Sequence, residues 1–211
     1  MTLWCQTLVL LCFTLILVES SAPPPAPRRN KYNKSFCLTR STRTRVQELQ
    51  KIYKEEQLGN KHFEDRSLQL QELPSLSTDF NSWLNLTDWE RLHAAFWDMR
   101  AYWNMLERKR TQLEREGKEQ LAGQEAHIDL PQNIRHIQLD LRDLMNQVSH
   151  QMRHIRSSWM RPTPPTHTEP ETSSKTLWDS RVEGYIILRD LDLYLTKLAR
   201  DFLLLASKTH I

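Results

Sequence analysis

The stretch Leu177–Ile211, LWDSRVEGYIILRDLDLYLTKLARDFLLLASKTHI, decides the fold. Leu188, Leu191, Leu195, Leu198, Phe202 and Leu205 recur at steps of three and four, which places them on one face of an α-helix. The seam predicts a helix over about 178–206 that buries one face against partners. Gly184 inside it costs roughly 1 kcal/mol relative to alanine, so close approach by a neighbour or a bound partner is expected there. The first turn differs from the rest. Trp178 and Arg181 stand one turn apart just after a Pro- and Thr-rich linker, where packing alone gives them no obvious job.

Working back from that helix, three more segments show the same period. The first, about 38–58, carries Leu38, Val46, Leu49 and Tyr53 on one face and stops at Gly59-Asn60. The second, about 87–117, opens with Thr87-Asp88-Trp89-Glu90, a capping box in which Thr87 and Glu90 each satisfy the other's backbone N–H. Its seam is Leu92, Phe96, Met99, Trp103, Leu106 and Leu113, ending at Gly117. The third, about 131–159, has Pro131 in its first turn, then Ile134, Ile137, Leu141, Leu144, Val148, Met152, Ile155 and Trp159. No stretch alternates with period two for long enough to make a strand, so the chain reads as all-α.

The connections bear on topology. A helix of twenty residues is about 30 Å long, so a parallel neighbour needs a crossover of roughly ten or more extended residues. The segments at about 59–86 and 160–177 are both long enough, which permits an up-up-down-down bundle with two long crossover loops. Length permits this arrangement without forcing it, because the middle connection, about 118–130, also exceeds the minimum for a hairpin.

Ahead of the bundle, Leu8–Val18 is almost unbroken apolar sequence closing in Glu19-Ser20-Ser21-Ala22 and three prolines. Residues 1–20 read as a secretory signal peptide cleaved after Ser20, with an uncleaved anchor as the alternative. Residues 21–37 read as a flexible N-terminal segment and 38–211 as the helical domain. Removing the leader takes away only Glu19, leaving 29 basic against 25 acidic side chains. So small an excess on mixed-sign helices reads as a solvated surface, not a nucleic-acid stripe. Cys5 and Cys12 leave with the leader, so Cys37 remains as a free thiol and no internal disulfide can form. That thiol is either a dimer-forming group or a small semi-buried residue beside a helix start. Asn33-Lys34-Ser35 and Asn85-Leu86-Thr87 are sequons, expected on surface loops as glycosylation sites.

Catalysis finds little support. His150 and His154 have the spacing of a zinc protease helix, but Gln151 stands where that site needs its Glu, and no third ligand is evident nearby. Gly-x-Ser-x-Gly and Gly-rich phosphate loops are absent from the sequence, and with four Gly in the chain a tight catalytic loop is hard to build. The expectation is therefore no enzyme, no metal and no cofactor. Amphipathic helices lying on a lipid surface are a stronger alternative, although the narrow seams match a bundle that buries its own faces.

Three stretches carry a resemblance. FCLTRSTRTRVQELQKIYKEEQLG (Phe36–Gly59), STDFNSWLNLTDWERLHAAFWDMRAYW (Ser77–Trp103) and LRDLDLYLTKLARDF (Leu188–Phe202) resemble the interleukin-six-type cytokines. The likeness is to the branch of ciliary neurotrophic factor, cardiotrophin-like cytokine and leukemia inhibitory factor. It implies a long-chain four-helix cytokine bundle acting from outside the cell by joining receptor chains, with JAK/STAT signalling downstream. In that branch a Phe-x-x-Lys pair opening the fourth helix engages the leukemia inhibitory factor receptor. Trp178-Asp179-Ser180-Arg181 stands in register, aromatic and cation kept in kind. The resemblance therefore implies receptor binding by Trp178 and Arg181, and a shared signal transducer on the first and third helices. A third, non-signalling alpha receptor is left open. The alternative for Trp178 is packing on its own linker.

Overall fold

The computed structural model describes residues 27–76, 79–120, 129–155 and 176–208. They form five helices: α1 Pro27–Leu58, α2 Phe80–Asn85, α3 Asp88–Gln120, α4 Leu130–Ile155 and α5 Leu177–Ser207, with no strand among the described residues. The leader, the linker before α5 and Trp159 fall outside these residues.

α1 begins at Pro27, well before the expected position 38, so residues 27–37 are helix and not a flexible segment. The reason lies in its inner face. Tyr32, Ser35, Thr39, Thr42, Val46, Leu49 and Tyr53 are buried at alternating steps of three and four, and three of the seven are Ser or Thr. Burying a hydroxyl is tolerable only when it is hydrogen-bonded. Thr39 Oγ1 donates to Ser35 O at 2.8 Å, Thr42 Oγ1 to Leu38 O at 2.8 Å, and Ser35 Oγ to Gln147 Oε1 at 2.7 Å. The lower half of the seam is thus polar in composition and buried in fact. At the other end Gly59 takes φ 64°, the left-handed conformation that stops a helix, as its position led us to expect.

The capping box before α3 is formed: Thr87 N donates to Glu90 Oε2 at 2.9 Å and Glu90 N to Thr87 Oγ1 at 3.2 Å. α3 does not stop at Gly117. It passes through it to Gln120, because one glycine weakens a helical turn without ending it. Met99, Tyr102 and Leu106 form its inner face, whereas Phe96 and Trp103, expected in the seam, are half-buried on the flank. Gln138 of α4 donates to Trp103 O at 3.3 Å on that flank.

α1 packs on α5 and α4, and α3 packs on α4 and α5. Each contact joins antiparallel helices: Arg43 pairs with Asp192 at 2.8 Å, whereas Tyr53, further along α1, reaches back to Arg181. α1 and α3 therefore run one way, α4 and α5 the other, with the parallel pairs set diagonally. This is the up-up-down-down bundle. Its core joins Val46, Tyr53, Leu106, Leu141, Leu144, Leu191, Leu195 and Phe202, all nearly inaccessible.

The short helix α2 was not foreseen. Asp79 caps it by accepting from Ser82 N at 3.0 Å, and its Trp83 is fixed to the far end of α5. Trp83 Nε1 donates to Asp201 Oδ1 at 2.7 Å, Arg91 Nη2 to Trp83 O at 2.6 Å, and Arg91 Nη1 to Asp201 Oδ1 at 2.5 Å. Arg91 and Asp201 are both buried. This ion pair closes the end of the bundle opposite the start of α5.

Candidate functional site

The first turn of α5 is capped in full. Thr176 Oγ1 accepts from Asp179 N at 3.1 Å, and Asp179 Oδ2 accepts from Thr176 N at 3.1 Å. Asp179 is thereby committed to the cap. Trp178, beside it, is 51% exposed. One edge of its ring meets Phe63, centroids 6.2 Å apart, and Phe63 in turn stands edge-on to Tyr185 at 5.1 Å. Phe63 comes from the connection after α1, where Phe63 N donates to Asn60 O at 3.0 Å and His62 N to Asn60 Oδ1 at 2.9 Å. Trp178 thus rests on a fixed aromatic neighbour and leaves about half of itself to solvent.

Beneath the Trp178 turn, α5 is held from two sides. Lys109 of α3 is buried and donates to Ser180 O and, at 3.1 Å, to Ser180 Oγ. Gln112 donates to the same hydroxyl. From α1, Tyr53 Oη donates to Arg181 O at 3.1 Å. Burial, then the carboxylates of Glu116 and Glu183, push the Tyr53 phenol well above its ordinary range against the opposing effect of Arg181, so it stays a donor. Gly184 is what admits both side chains: a Cβ there would lie 2.1 Å from Tyr53 Oη and 2.4 Å from Lys109 Cε. The close approach expected at Gly184 is therefore made by neighbours within the bundle.

Arg181 is half-buried, and its Nε has no hydrogen-bond partner. An aromatic face and a guanidinium one turn apart, on a turn held by α1 and α3, can fill an apolar pocket on a partner and meet a carboxylate there. Sequence reasoning found the pair and missed its supports. Gly184 was the one signal pointing to Tyr53 and Lys109, and nothing in the spacing singled out Phe63.

The remaining sequence-predicted positions are scattered. Cys37 is free and exposed on α1. Asn33 is half-buried within α1, not on a surface loop, and the Ser35 hydroxyl of its sequon also accepts from Gln151 Nε2 at 2.8 Å. Asn85 ends α2 and is exposed, as a glycan acceptor must be. His150 and His154 lie on α4 with ring centroids 6.0 Å apart.

A family model described as ciliary neurotrophic factor matches residues 17–211, which include all four long helices and the Trp178 turn. The chain belongs to the ciliary neurotrophic factor family. No curated protein matches it. Members are cytokines of the interleukin-six type, signalling ligands and not enzymes, which bind cell-surface cytokine receptors. A secreted protein fits that membership, and among the described residues no helix is long and apolar enough to cross a membrane.

Proposed function

We propose that this cytokine signals by joining two receptor chains: a leukemia inhibitory factor receptor-like chain at Trp178 and Arg181, and the shared interleukin-six-type transducer on the exposed faces of α1 and α4. JAK/STAT activation follows from bringing the chains together, and residues 1–20 serve as the cleaved export leader. An alpha receptor is an optional third partner. The observation that carries the reading is the exposure of Trp178 on a turn fixed by the cap, Lys109 and Tyr53. A large ring held half in water on an ordered surface is the profile of a binding hot spot. The lipid-surface alternative needs free apolar stripes, whereas the seams of the four long helices are buried in one another.

The test is STAT phosphorylation in cells bearing the receptor set, comparing wild type with the Trp178→Ala/Arg181→Ala variant, both checked for helicity. The variant should fold and lose roughly thirtyfold in potency per hot-spot residue removed, at about 2 kcal/mol each. A folded variant of undiminished potency would refute the assignment of this pair.

A further inference from the structure

The small positive excess of this chain is unevenly placed. No Asp or Glu occurs from Ser20 to Gln47, while Arg28, Arg29, Lys31 and Lys34 fall within two turns of α1. None occurs again from Leu144 to Thr168, where His150, Arg153 and His154 close α4. The fold brings the start of α1 and the end of α4 together. Ser35 bonds to Gln147 and Gln151, and Gln151 Nε2 also reaches Lys31 O at 3.4 Å.

At that junction Lys31 Nζ lies 2.9 Å from His154 Nε2, so two basic groups share a hydrogen bond. Such a contact holds only while the imidazole is neutral and accepts. Lys31, Lys34, His150, Arg153 and His154 are all exposed. Among the described residues, none of Lys31, Lys34, His150 and His154 has a carboxylate partner. The nearest acids on α4 are further up the helix: Asp140 holds Arg45 at 2.7 Å, and Asp143 lies beside Arg142 at 3.7 Å. At the same end of the bundle, Lys208 of α5 and Asp88 at the start of α3 pair with each other at 2.9 Å.

We propose that the junction of the α1 start and the α4 end binds a sulfated polysaccharide, with Lys31, Lys34, His150, Arg153 and His154 facing its sulfates. A polyanion supplies a counter-charge to Lys31, Lys34, His150 and His154 and screens Lys31 from His154. Among the described residues the cluster offers no exposed Phe, Tyr or Trp ring on which a nucleic-acid base could stack. Ile155, 42% exposed, is too little apolar surface to seat α4 in a lipid interface. The site lies at the opposite end of the bundle from Trp178, so it stands independently of the receptor assignment.

The experiment uses the secreted protein on immobilised heparin, with salt elution at pH 7.4. Wild type should be retained at near-physiological salt. Lys31→Glu/Lys34→Glu should weaken binding at least about tenfold. Arg115→Glu/Lys118→Glu makes the same change in net charge at exposed positions on the far end of α3 and should have little effect. Lys31→Gln/Lys34→Gln gives a milder version should charge reversal disturb the fold. Equal losses in both reversed pairs would reduce the effect to net charge and overturn the proposal. So would absence of retention, or binding to phosphatidylserine vesicles in its place.

Discussion

Gly184→Ala and Gly117→Ala make the same chemical change in two helices, and the structure gives them opposite signs. In a helical turn with room for a methyl group, alanine stabilises by about 1 kcal/mol relative to glycine, through backbone entropy. Gly117 meets that condition, since nothing lies within 4 Å of a Cβ built there. At Gly184 the Cβ would fall 2.1 Å from Tyr53 Oη and 2.4 Å from Lys109 Cε. Tyr53 is wholly inaccessible, so its ring has no room to withdraw, and moving Lys109 pulls its ammonium off Ser180. Overpacking costs about 1–3 kcal/mol, and losing the Tyr53 bond to Arg181 O about 1 kcal/mol more. Set against the entropic gain, the net is a loss of about 1–3 kcal/mol. Urea unfolding followed by circular dichroism reads both variants. Gly117→Ala should raise the midpoint and Gly184→Ala lower it at unchanged slope. A Gly184→Ala protein more stable than wild type would refute the reasoning that this position exists for close approach.

Three other outcomes are expected. Asp201→Ala should destabilise by about 3–5 kcal/mol in the same unfolding assay, because it strands the buried Arg91 cation; a loss below about 1 kcal/mol would mean that the pair is hydrated. Burial, eased by Lys197 and aggravated by Asp201, pushes the Asp98 carboxyl up to about 6, so its charged form opposes folding above that pH. Its folded pKa lies above the unfolded value, hence the penalty fades as pH falls from about 6 towards 4. Asp98→Asn should therefore gain on the order of 2 kcal/mol over wild type at pH 7.4, and the gain should shrink across that window. Mass spectrometry of protein secreted from mammalian cells should find a glycan at Asn85, removed by Asn85→Gln; an unmodified Asn85 would contradict its reading as an open acceptor.

Wherever burial was apolar and periodic, the sequence could be read directly. The α5 seam, the α3 capping box and the Gly59 stop all appear where spacing and cap chemistry placed them. Misreadings have identifiable causes. Ser35, Thr39 and Thr42 are buried because their hydroxyls are bonded, Thr39 and Thr42 to the preceding turn of α1 and Ser35 to Gln147 of α4, so an apolar count starts α1 eleven residues late. Phe96 and Trp103 have the right period and the wrong angular position, since a ring can cover a flank as well as fill a centre. Trp178 and Arg181 could be singled out by sequence. Their supports, Tyr53, Phe63 and Lys109, come from three places far apart along the chain, and nothing local in the sequence marks that convergence.

Because adjacent long helices in this bundle are antiparallel and non-successive in three of four pairings, closure depends on residues widely separated in sequence. The Tyr53–Arg181 bond spans 128 positions and the Arg43–Asp192 pair 149. During synthesis α1 leaves the ribosome first and α5 last, so Val46, Leu49 and Tyr53 wait, uncovered, for most of translation. Contacts of such long range slow folding and prolong the interval in which apolar surface can find a wrong partner. A stop codon a few turns before Ser207 would therefore cost far more than a frayed tail: it would leave the oldest part of the chain without its cover.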